Sequence, residues 1–345
     1  MPGLLTKEEE PRFKTIEVKK LHPTFAAEVS GVNFDDVSDE QFSEILAAMT
    51  KYGVCVFRNT GLTDAAHVSF SERFGALDNI RRYLTNGRKP RYPHYELFDA
   101  GNVSLEPTAP GAEPTPLDPS SARAHANRGN GLFHADSSFN PRRASFSLLR
   151  AAQLPPPETG GATLFADSRT AAEELDGDLL ARLAARDLVG AHSMAHSRKL
   201  GSPAFFADLD PTQYPMVRHR VLQRHEASGR MNLYVGAHLH HLEHAGDEIR
   251  ESAALVQTLN QHAARDKYVV AVPWHSVSDL VIWDNRAVLH RAGPGTFEGR
   301  FIRDLRRTTV HDDSPTAWGL NERGMEFSAF FTPPPKIGAV SAGAS

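Results

Sequence analysis

The chain has 345 residues, 40% of them hydrophobic, with a formal net charge of -4 at pH 7 and a pI near 6.5. This size allows one large domain or two ordinary ones, and the apolar content is enough for a substantial core. Because the chain has no surplus of basic residues, its composition argues against nucleic acid or an anionic membrane as a partner. A small anionic substrate would have to be met by local arginines.

Both ends of the chain lack the pattern of a folded domain. Residues 1–14 are polar, and residues 333–345 are rich in proline and small residues. We therefore expect a disordered N-terminal tail and a flexible C-terminal tail around a single domain at 15–332. The sequence shows neither a signal-peptide pattern nor a run of roughly 18 apolar residues. It contains one cysteine, Cys55. These features predict a cytoplasmic protein of a reducing compartment.

The first half of the chain contains one clear strand, one capped helix and one long loop. The apolar run Tyr52–Phe57 predicts a buried strand, and Thr63 is placed to cap a helix that continues to about Phe74. The stretch 105–130 is rich in proline, alanine and serine and has no periodicity. A loop insertion of this length is either a lid over a site or a solvated surface feature, and both interpretations stay open.

Strand patterns dominate the second half. Strands are predicted at 144–149, 162–165, 231–236, 268–274, 279–284, 287–290 and 305–310, and helices at about 168–187 and 247–265. Many short strands joined by glycine and proline turns, with helices at the edges, are typical of a mainly β fold with flanking helices. The predicted architecture is a double-stranded β-helix, or jelly roll.

Four pairs of the form His-x-acid are candidate metal-binding motifs: His134 with Asp136, His94 with Glu96, His241 with Glu243, and His311 with Asp313. In an extended chain, residues i and i+2 point the same way, so both members of such a pair can reach the same ion. A non-haem iron(II) oxygenase needs two histidines and one carboxylate on one face of the metal. With 17 His and 42 Asp plus Glu, such pairs also arise by chance, so spacing alone does not choose among them.

Two later features favour the pair at His134. His290 ends the stretch DLVIWDNRAVLHRA and is the best candidate for a third ligand, the alternative being an ordinary core histidine. Arg303 and Arg307 are four residues apart, so on one strand their side chains share a face. A guanidinium on the inner face of a sandwich needs a carboxylate partner, and the dicarboxylate 2-oxoglutarate would supply one.

Taken together, these motifs resemble the iron(II)/2-oxoglutarate-dependent taurine dioxygenase and 2,4-dichlorophenoxyacetate dioxygenase family. The resemblance covers about residues 14–312 and is closest to the dichlorophenoxyacetate-type branch. It is carried, in chain order, by SERFGAL, NRGNGLFHADSSF, GGATLFADSRTAAEEL, GRMNLYVGAHLHHLE, and DLVIWDNRAVLHRA followed by RDLRRTTV. It implies the jelly-roll fold and Fe(II) bound by His134, Asp136 and His290, with 2-oxoglutarate and O2 as cosubstrates.

The resemblance also implies roles around the metal. Thr163 and Arg303 would hold the distal carboxylate of 2-oxoglutarate, and Arg307 would lie near its metal-bound end or near the substrate anion. Members of the family contact substrate through the segment after SERFGAL and the strand before the long loop, which here contain Asn79, Arg81, Arg82, Asn102 and Val103. His238 is a further candidate for the pocket.

The implied activity is oxidation, by default hydroxylation, of a C–H bond in a small or medium organic substrate, preferably one with a carboxylate. Succinate and CO2 would be released. Desaturation, oxidative cyclisation or ether cleavage would use the same residues, and a metal-binding jelly-roll protein or a zinc hydrolase are alternatives outside the oxygenases. A homo-oligomer is a family expectation.

A second group of histidines leaves two interpretations open. His238, His240, His241 and His244 lie in AHLHHLEH. They either line or flank the pocket, which we favour, or form a structural zinc site.

Overall fold

A computed structural model describes residues 12–84, 89–104 and 113–325. Residues 1–11 of the predicted N-terminal tail, the whole predicted C-terminal tail and residues 105–112 of the predicted loop lie outside this range. The strands are, in chain order, β1 (Glu17–Lys20), β2 (Ala27–Ser30), β3 (Val54–Phe57), β4 (Phe98–Asp99), β5 (Ala144–Gln153), β6 (Thr163–Asp167), β7 (Val189–His192), β8 (Val217–Arg220), β9 (Leu222–Arg224), β10 (Met231–Leu233), β11 (Leu239–His244), β12 (Asp247–Glu248), β13 (Val269–Val272), β14 (Leu280–Asp284), β15 (Val288–Ala292) and β16 (Asp304–His311). The helices are α1 (Asp39–Tyr52), α2 (Asp64–Glu72), α3 (Ala122–Asn127), α4 (Ser168–Glu173), α5 (Gly177–Ala185), α6 (Met194–Gly201) and α7 (Ser252–Ala263).

Two sheets form the jelly roll. The larger has the strand order β1-β2-β3-β14-β5-β16-β4, and the smaller has the order β13-β6-β15. Pairing is antiparallel throughout both sheets except between β2 and β3. A further sheet, β12-β11-β7-β8, and the hairpin β9-β10 extend the fold at one side. The predicted double-stranded β-helix is confirmed.

Alternation along the strands separates an inner core from an outer one. In β3, Val54 and Val56 lie in the core between the two sheets, whereas Cys55 and Phe57 lie in the core beneath α1. Helices α4 and α7 pack over the opposite, outer side of the smaller sheet, where Leu289 of β15 is buried. Since successive strand residues face opposite sides, each strand presents one set of side chains to the space between the sheets.

Several predicted elements have different bounds in the structure. The single helix predicted at 168–187 is two helices, α4 and α5, because Asp176 caps a new helix with hydrogen bonds to the amides of Asp178 and Leu179. The later part of the predicted loop, residues 113–130, includes α3, followed by a 3₁₀ turn at Arg128–Gly131. Thr63 caps α2, as predicted. Within the described residues, no helix is long and apolar enough to cross a membrane.

Candidate active site

Strand alternation directs three of the predicted site residues into the space between the sheets. Phe165, Val288 and Leu305 lie in the inner core. Three predicted site residues lie two positions from these on the same strands: Thr163 in β6, His290 in β15 and Arg307 in β16. They therefore face the same side of their strands, toward the inner core.

The three predicted metal ligands meet beside β15. His134 lies just after the 3₁₀ turn and forms an isolated bridge with His290, through reciprocal backbone hydrogen bonds of 3.0 and 2.9 Å. One ligand atom each from His134, Asp136 and His290 lies within 4.8 Å of the others, and all three side chains are buried. Within the described residues, this is the one such group of histidine, cysteine and acidic side chains.

The protonation states of this triad suit a divalent metal. His134 Nδ1 is 2.7 Å from the carbonyl oxygen of Leu132, so the ring donates there and leaves Nε2 on the side of Asp136. Burial lowers the pKa of His134 and lowers the pKa of His290 to about 3, so both rings are neutral at pH 7. Burial raises the pKa of Asp136, but Arg307, His290 and His134 outweigh it and bring that pKa to about 2. Two neutral imidazoles and one carboxylate are the donor set of non-haem iron(II) sites.

Two residues that the sequence reasoning missed orient the carboxylate. Ser147 of β5 donates its hydroxyl to Asp136 Oδ2 at 2.7 Å. Asn285 accepts from the backbone N–H of Asp136 at 3.0 Å and donates to the Ser147 hydroxyl at 3.0 Å. Trp283 Nε1 donates to the same Asn285 oxygen at 3.0 Å. The polar Ser147 between the apolar residues Phe146 and Leu148 of β5 was the available signal for this arrangement.

Arg303 is a buried cation without a carboxylate partner among the described residues. Its side chain is 7% exposed, and its Nε donates to the carbonyl oxygen of Gly161 at 3.0 Å. Burial lowers the pKa of Arg303 to about 10. With Gly161 and Trp274 it lines a cavity of about 90 Å³. Trp274 Nε1 donates to Thr163 Oγ1 at 3.3 Å, so the Thr163 hydroxyl keeps its proton for an acceptor in this region.

Gly161 allows this arrangement. Its φ is +87°, in the left-handed region, and a Cβ built there would lie 2.9 Å from Phe297 and 3.1 Å from Arg303 Nε. A larger residue would therefore displace the Arg303 side chain.

Arg307 connects the metal triad to an aromatic wall. Its Nη1 donates to Asp136 Oδ1, while its buried Nε has no partner in the described part of the chain. Its guanidinium lies 5.5 Å from the ring centre of Phe98, which packs edge-on against Tyr83. Tyr83 lies 3.3 Å from the Asn140 amide nitrogen, and burial raises its pKa, so it remains a neutral phenol. Tyr83 was not among the predicted substrate residues.

The predicted substrate residues near the N-terminal half have protein partners. Asn79 caps the 3₁₀ turn Ile80–Tyr83, Arg81 stacks on Tyr95 at 4.2 Å, and Arg82 pairs with Asp78. Asn102 accepts from the Arg303 N–H at 2.7 Å and donates to the Phe301 carbonyl at 3.0 Å, so it braces the backbone at Arg303. Val103 is buried and bridges to Pro116. Substrate contact by these residues stays a prediction.

The histidines just before and within β11 lie in two different surroundings. The His238 ring lies 5.3 Å from that of His134 and 4.8 Å from that of Phe139, beside the metal triad. His240 and His241 contact each other, and His241 bonds Glu243 at 2.9 Å. His244 donates to the Arg186 carbonyl. These side chains do not converge on one point, so among the described residues they do not form a zinc site.

Comparisons with known proteins agree with this geometry. Residues 17–309 match the family model described as taurine catabolism dioxygenase TauD, TfdA family. The alpha-ketoglutarate-dependent 2,4-dichlorophenoxyacetate dioxygenase of Cupriavidus pinatubonensis is 33% identical, over 87% of this chain and 99% of that protein. The (S)-phenoxypropionate/alpha-ketoglutarate-dioxygenase of Sphingobium herbicidovorans is 30% identical, over 81% of this chain and 89% of that protein.

A solved structure is similar to this chain in both fold and sequence. The crystal structure of AAD-2 in complex with Mn(II) and N-oxalylglycine superposes with a TM-score of 0.72 at 33% identity, covering 88% of this chain and 99% of that one. The chain belongs to the TauD, TfdA family of dioxygenases, oxidoreductases that use Fe(II) with 2-oxoglutarate and O2 as cosubstrates.

Proposed function

We propose that His134, Asp136 and His290 bind Fe(II) in this chain, and that Thr163 and Arg303 bind the distal carboxylate of 2-oxoglutarate. The observation that carries the proposal is the buried triad, with its ligand atoms within 4.8 Å of one another. Two neutral histidines and one ionised aspartate are the donor set of such iron sites, and they would leave other positions of the ion for cosubstrate and O2.

The unpaired Arg303 supports the cosubstrate assignment. A buried guanidinium without a carboxylate is costly, and a dicarboxylate that enters the small cavity would supply the missing partner. Thr163 lies at the same end, joined to Trp274, and can donate its hydroxyl proton to the second carboxylate oxygen. A zinc hydrolase with this triad would have no use for such a clamp.

We propose an organic carboxylate with an aromatic body as substrate, oxidised by default through hydroxylation of a C–H bond. Arg307 has a buried Nε without a partner among the described residues, and it can bind an anion while Nη1 stays on Asp136. The rings of Phe98, Tyr83, Phe139 and His238 line the surroundings of Arg307 and the triad. The relatives named for 2,4-dichlorophenoxyacetate and (S)-phenoxypropionate act on molecules of this chemistry.

The residues of the chain have separable tasks in this reaction. Bound Fe(II) would supply the oxidising chemistry, by coupling O2 to the decarboxylation of 2-oxoglutarate to succinate. Arg303 and Thr163 fix the far end of the cosubstrate, so its other end faces the triad. Ser147 and Asn285 hold Asp136 in one rotamer, and Arg307 orients the substrate anion. Burial of these groups keeps bulk water away from the reacting atoms.

The triad is tested by comparing two His-x-acid pairs in one protein. His134→Ala and Asp136→Ala should abolish Mn(II) binding in calorimetry, and they should abolish succinate release from 2-oxoglutarate with Fe(II) and ascorbate. His311→Ala is the matched control, because His311 begins the look-alike pair with Asp313 and its ring lies 3.8 Å from Asp78, outside the triad. Equal losses at His311 would show that the wrong pair was chosen.

The substrate class is tested with the wild-type enzyme on a panel of aryloxyacetates, arylpropionates, alkyl sulfates and alkyl sulfonates. We expect substrate-stimulated succinate formation to be greatest with the aromatic carboxylates, with a hydroxylated product by mass spectrometry. Preference for the sulfur-containing anions would overturn the substrate proposal alone. Absence of any turnover of 2-oxoglutarate, coupled or uncoupled, would overturn the oxygenase assignment as well.

Location and assembly are two further parts of the proposal. Cys55 is buried, and burial raises the pKa of its thiol, as expected for an inert thiol in a reducing cytoplasm. We expect the protein in the cytoplasmic fraction of its native cells. A homo-oligomer is proposed from the family, and light scattering of the purified chain at a monomer mass would contradict it.

A further inference from the structure

A larger cavity connects the surface to Arg303. It measures about 340 Å³ and lies between the segment 117–131 and the turn 291–303. Its lining runs from the exposed Arg128 and Glu298, past the half-buried Arg291, to the buried Arg303. Arg303 also lines the smaller cavity beside Trp274. The lining therefore traces a path from solvent to the proposed site of the 2-oxoglutarate carboxylate.

Arg291 has a charge on this path that no described residue neutralises. Its guanidinium lies 5.2 Å from the ring centre of Phe133, and no ion pair or hydrogen bond joins it to another described side chain. Asp99, on the same cavity, is already bound by Arg91 and Arg123. Glu298 is exposed at the rim and forms no ion pair within the described residues. Arg291 therefore remains available to an anion that enters from solvent.

Strand direction separates Arg291 from the metal. It follows His290 in β15, and adjacent strand residues face opposite sides, so Arg291 shares the side of Leu289, outside the inner core. Strand β15 is at the edge of the smaller sheet. A ligand that passes around this edge would meet Arg291 before it meets Arg303.

We propose that this cavity is the entrance for 2-oxoglutarate and that Arg291 is an entry residue, which captures the dianion from solvent before Arg303 binds it. The inference rests on the proposed 2-oxoglutarate dependence. A cation at the mouth of a low-dielectric cleft raises the local concentration of a small anion and so raises its association rate. A charge on the rim acts mainly on association and on its salt dependence, whereas a charge in the bound complex acts on dissociation.

The test measures association and dissociation of 2-oxoglutarate with the Mn(II)-loaded protein by stopped-flow tryptophan fluorescence, at low and high salt. Trp274 lines the small cavity and should report its occupancy. Arg291→Gln should lower the association rate constant about 3- to 10-fold at low salt and flatten its salt dependence, with dissociation unchanged. Arg291→Lys should restore most of the rate, and Glu298→Gln should change it in the opposite direction.

The controls separate this inference from the proposed function. Arg250→Gln removes an exposed positive charge that does not line the cavity, and it should leave both rate constants unchanged. If wild type binds 2-oxoglutarate and Arg291→Gln associates as fast as wild type, the entry role is wrong and the proposed function stands. An effect confined to dissociation would likewise exclude an entry role. If wild type does not bind, both ideas fail together.

A second measurement keeps the test independent of fluorescence. The specificity constant kcat/KM for 2-oxoglutarate, from succinate release, should fall with Arg291→Gln while kcat stays constant. If KM for the organic substrate changes and that for 2-oxoglutarate does not, Arg291 binds the substrate carboxylate and the entry assignment is overturned.

Discussion

Arginines of this protein lie in two opposite surroundings, one with carboxylate partners and one without them among the described residues. Behind the active site, Arg143 donates to Asp312 at 2.7 Å, and Arg286 bonds Asp312 at 3.1 Å and Asp284 at 2.8 Å. We refer to these four residues as the paired network. Arg303, on the side of the proposed cosubstrate site, is buried like Arg143, but its partner among the described residues is one backbone carbonyl and no carboxylate.

The pKa directions follow this difference. Burial opposes the charge of Arg286, yet Asp284 and Asp312 outweigh it and raise the pKa of Arg286. At Arg303 burial acts without opposition and lowers the pKa to about 10. A paired buried cation destabilises the fold when its partner is removed, whereas an unpaired one is a place where an anion can bind. Predictions about the two groups should therefore differ in kind.

The paired network should show the largest effect on stability. Asp312→Ala would leave the buried Arg143 and the half-buried Arg286 short of a partner, and we expect the free energy of unfolding to fall by about 3–5 kcal/mol. Urea denaturation of the metal-free protein measures this. Arg220→Ala, which breaks an exposed pair with Asp187, is the control and should lose less than about 1 kcal/mol. Equal losses in the two variants would show that burial does not distinguish these pairs.

The buried histidines show the same contrast, and it predicts that the free energy of unfolding depends on pH. His225 lies 3.0 Å from Asp284, whereas His67 and His219 are buried and contact no carboxylate in the described part of the chain. Burial lowers the pKa of His67 to about 3 and that of His219 to about 4, from an ordinary value of 6.5. Below pH 6.5 these two histidines bind protons in the unfolded chain but not in the folded chain. Their contribution to the free energy of unfolding is therefore complete above pH 6.5 and is lost as the pH falls below it.

The expected loss from these two histidines is about 2–3 kcal/mol between pH 6 and pH 5, since each such proton contributes about 1.4 kcal/mol per pH unit. Urea titrations at pH 7, 6 and 5 give the slope. A free energy of unfolding that stays constant over this range would mean that the two rings are not buried in neutral form.

Arg303→Met tests the unpaired side of the comparison. Because no ion pair is broken, the metal-free protein should unfold at the same urea concentration as wild type or a higher one. Binding of 2-oxoglutarate to the Mn(II)-loaded protein should weaken about 10- to 100-fold, the loss of a charge-assisted hydrogen bond of about 1.5–3 kcal/mol. Calorimetry measures it, with the exposed Arg300→Met as control. A loss of stability like that of Asp312→Ala would show that Arg303 stabilises the fold instead.

The sequence predicted the strands better than it predicted their ends. Apolar runs located β3, β5, β14 and β15, because a buried strand needs apolar side chains on both faces. The strand predicted at 231–236 ends at Leu233, and Gly236 has a φ of +117°. A Cβ on Gly236 would lie 2.9 Å from His134 Cα. That close approach depends on a residue about a hundred positions away, which no local pattern shows.

The candidate site was predicted in part for a similar reason. Residue type and motif order singled out His134, Asp136 and His290 from several look-alike pairs, because metal ligands are restricted to few residue types. Ser147 and Asn285 are common polar residues, and their contact with Asp136 depends on the register of β5 against β14. Register is a tertiary property, so these supporting residues became visible only in the structure.

Ser147→Ala should have the smallest effect among these comparisons, and it compares two contacts of one carboxylate within the proposed metal site. Asp136 is paired to Arg307 and also held by Ser147, so removing one hydroxyl should leave the carboxylate in place but less well oriented. We expect Mn(II) affinity to fall about 10-fold, as for other residues that support a metal ligand, with little change in KM for 2-oxoglutarate. Ser145→Ala is the matched control, because Ser145 is buried two residues away on the same strand and donates to the Val310 carbonyl. If both variants weaken the metal equally, the effect comes from strand packing and not from orientation of Asp136.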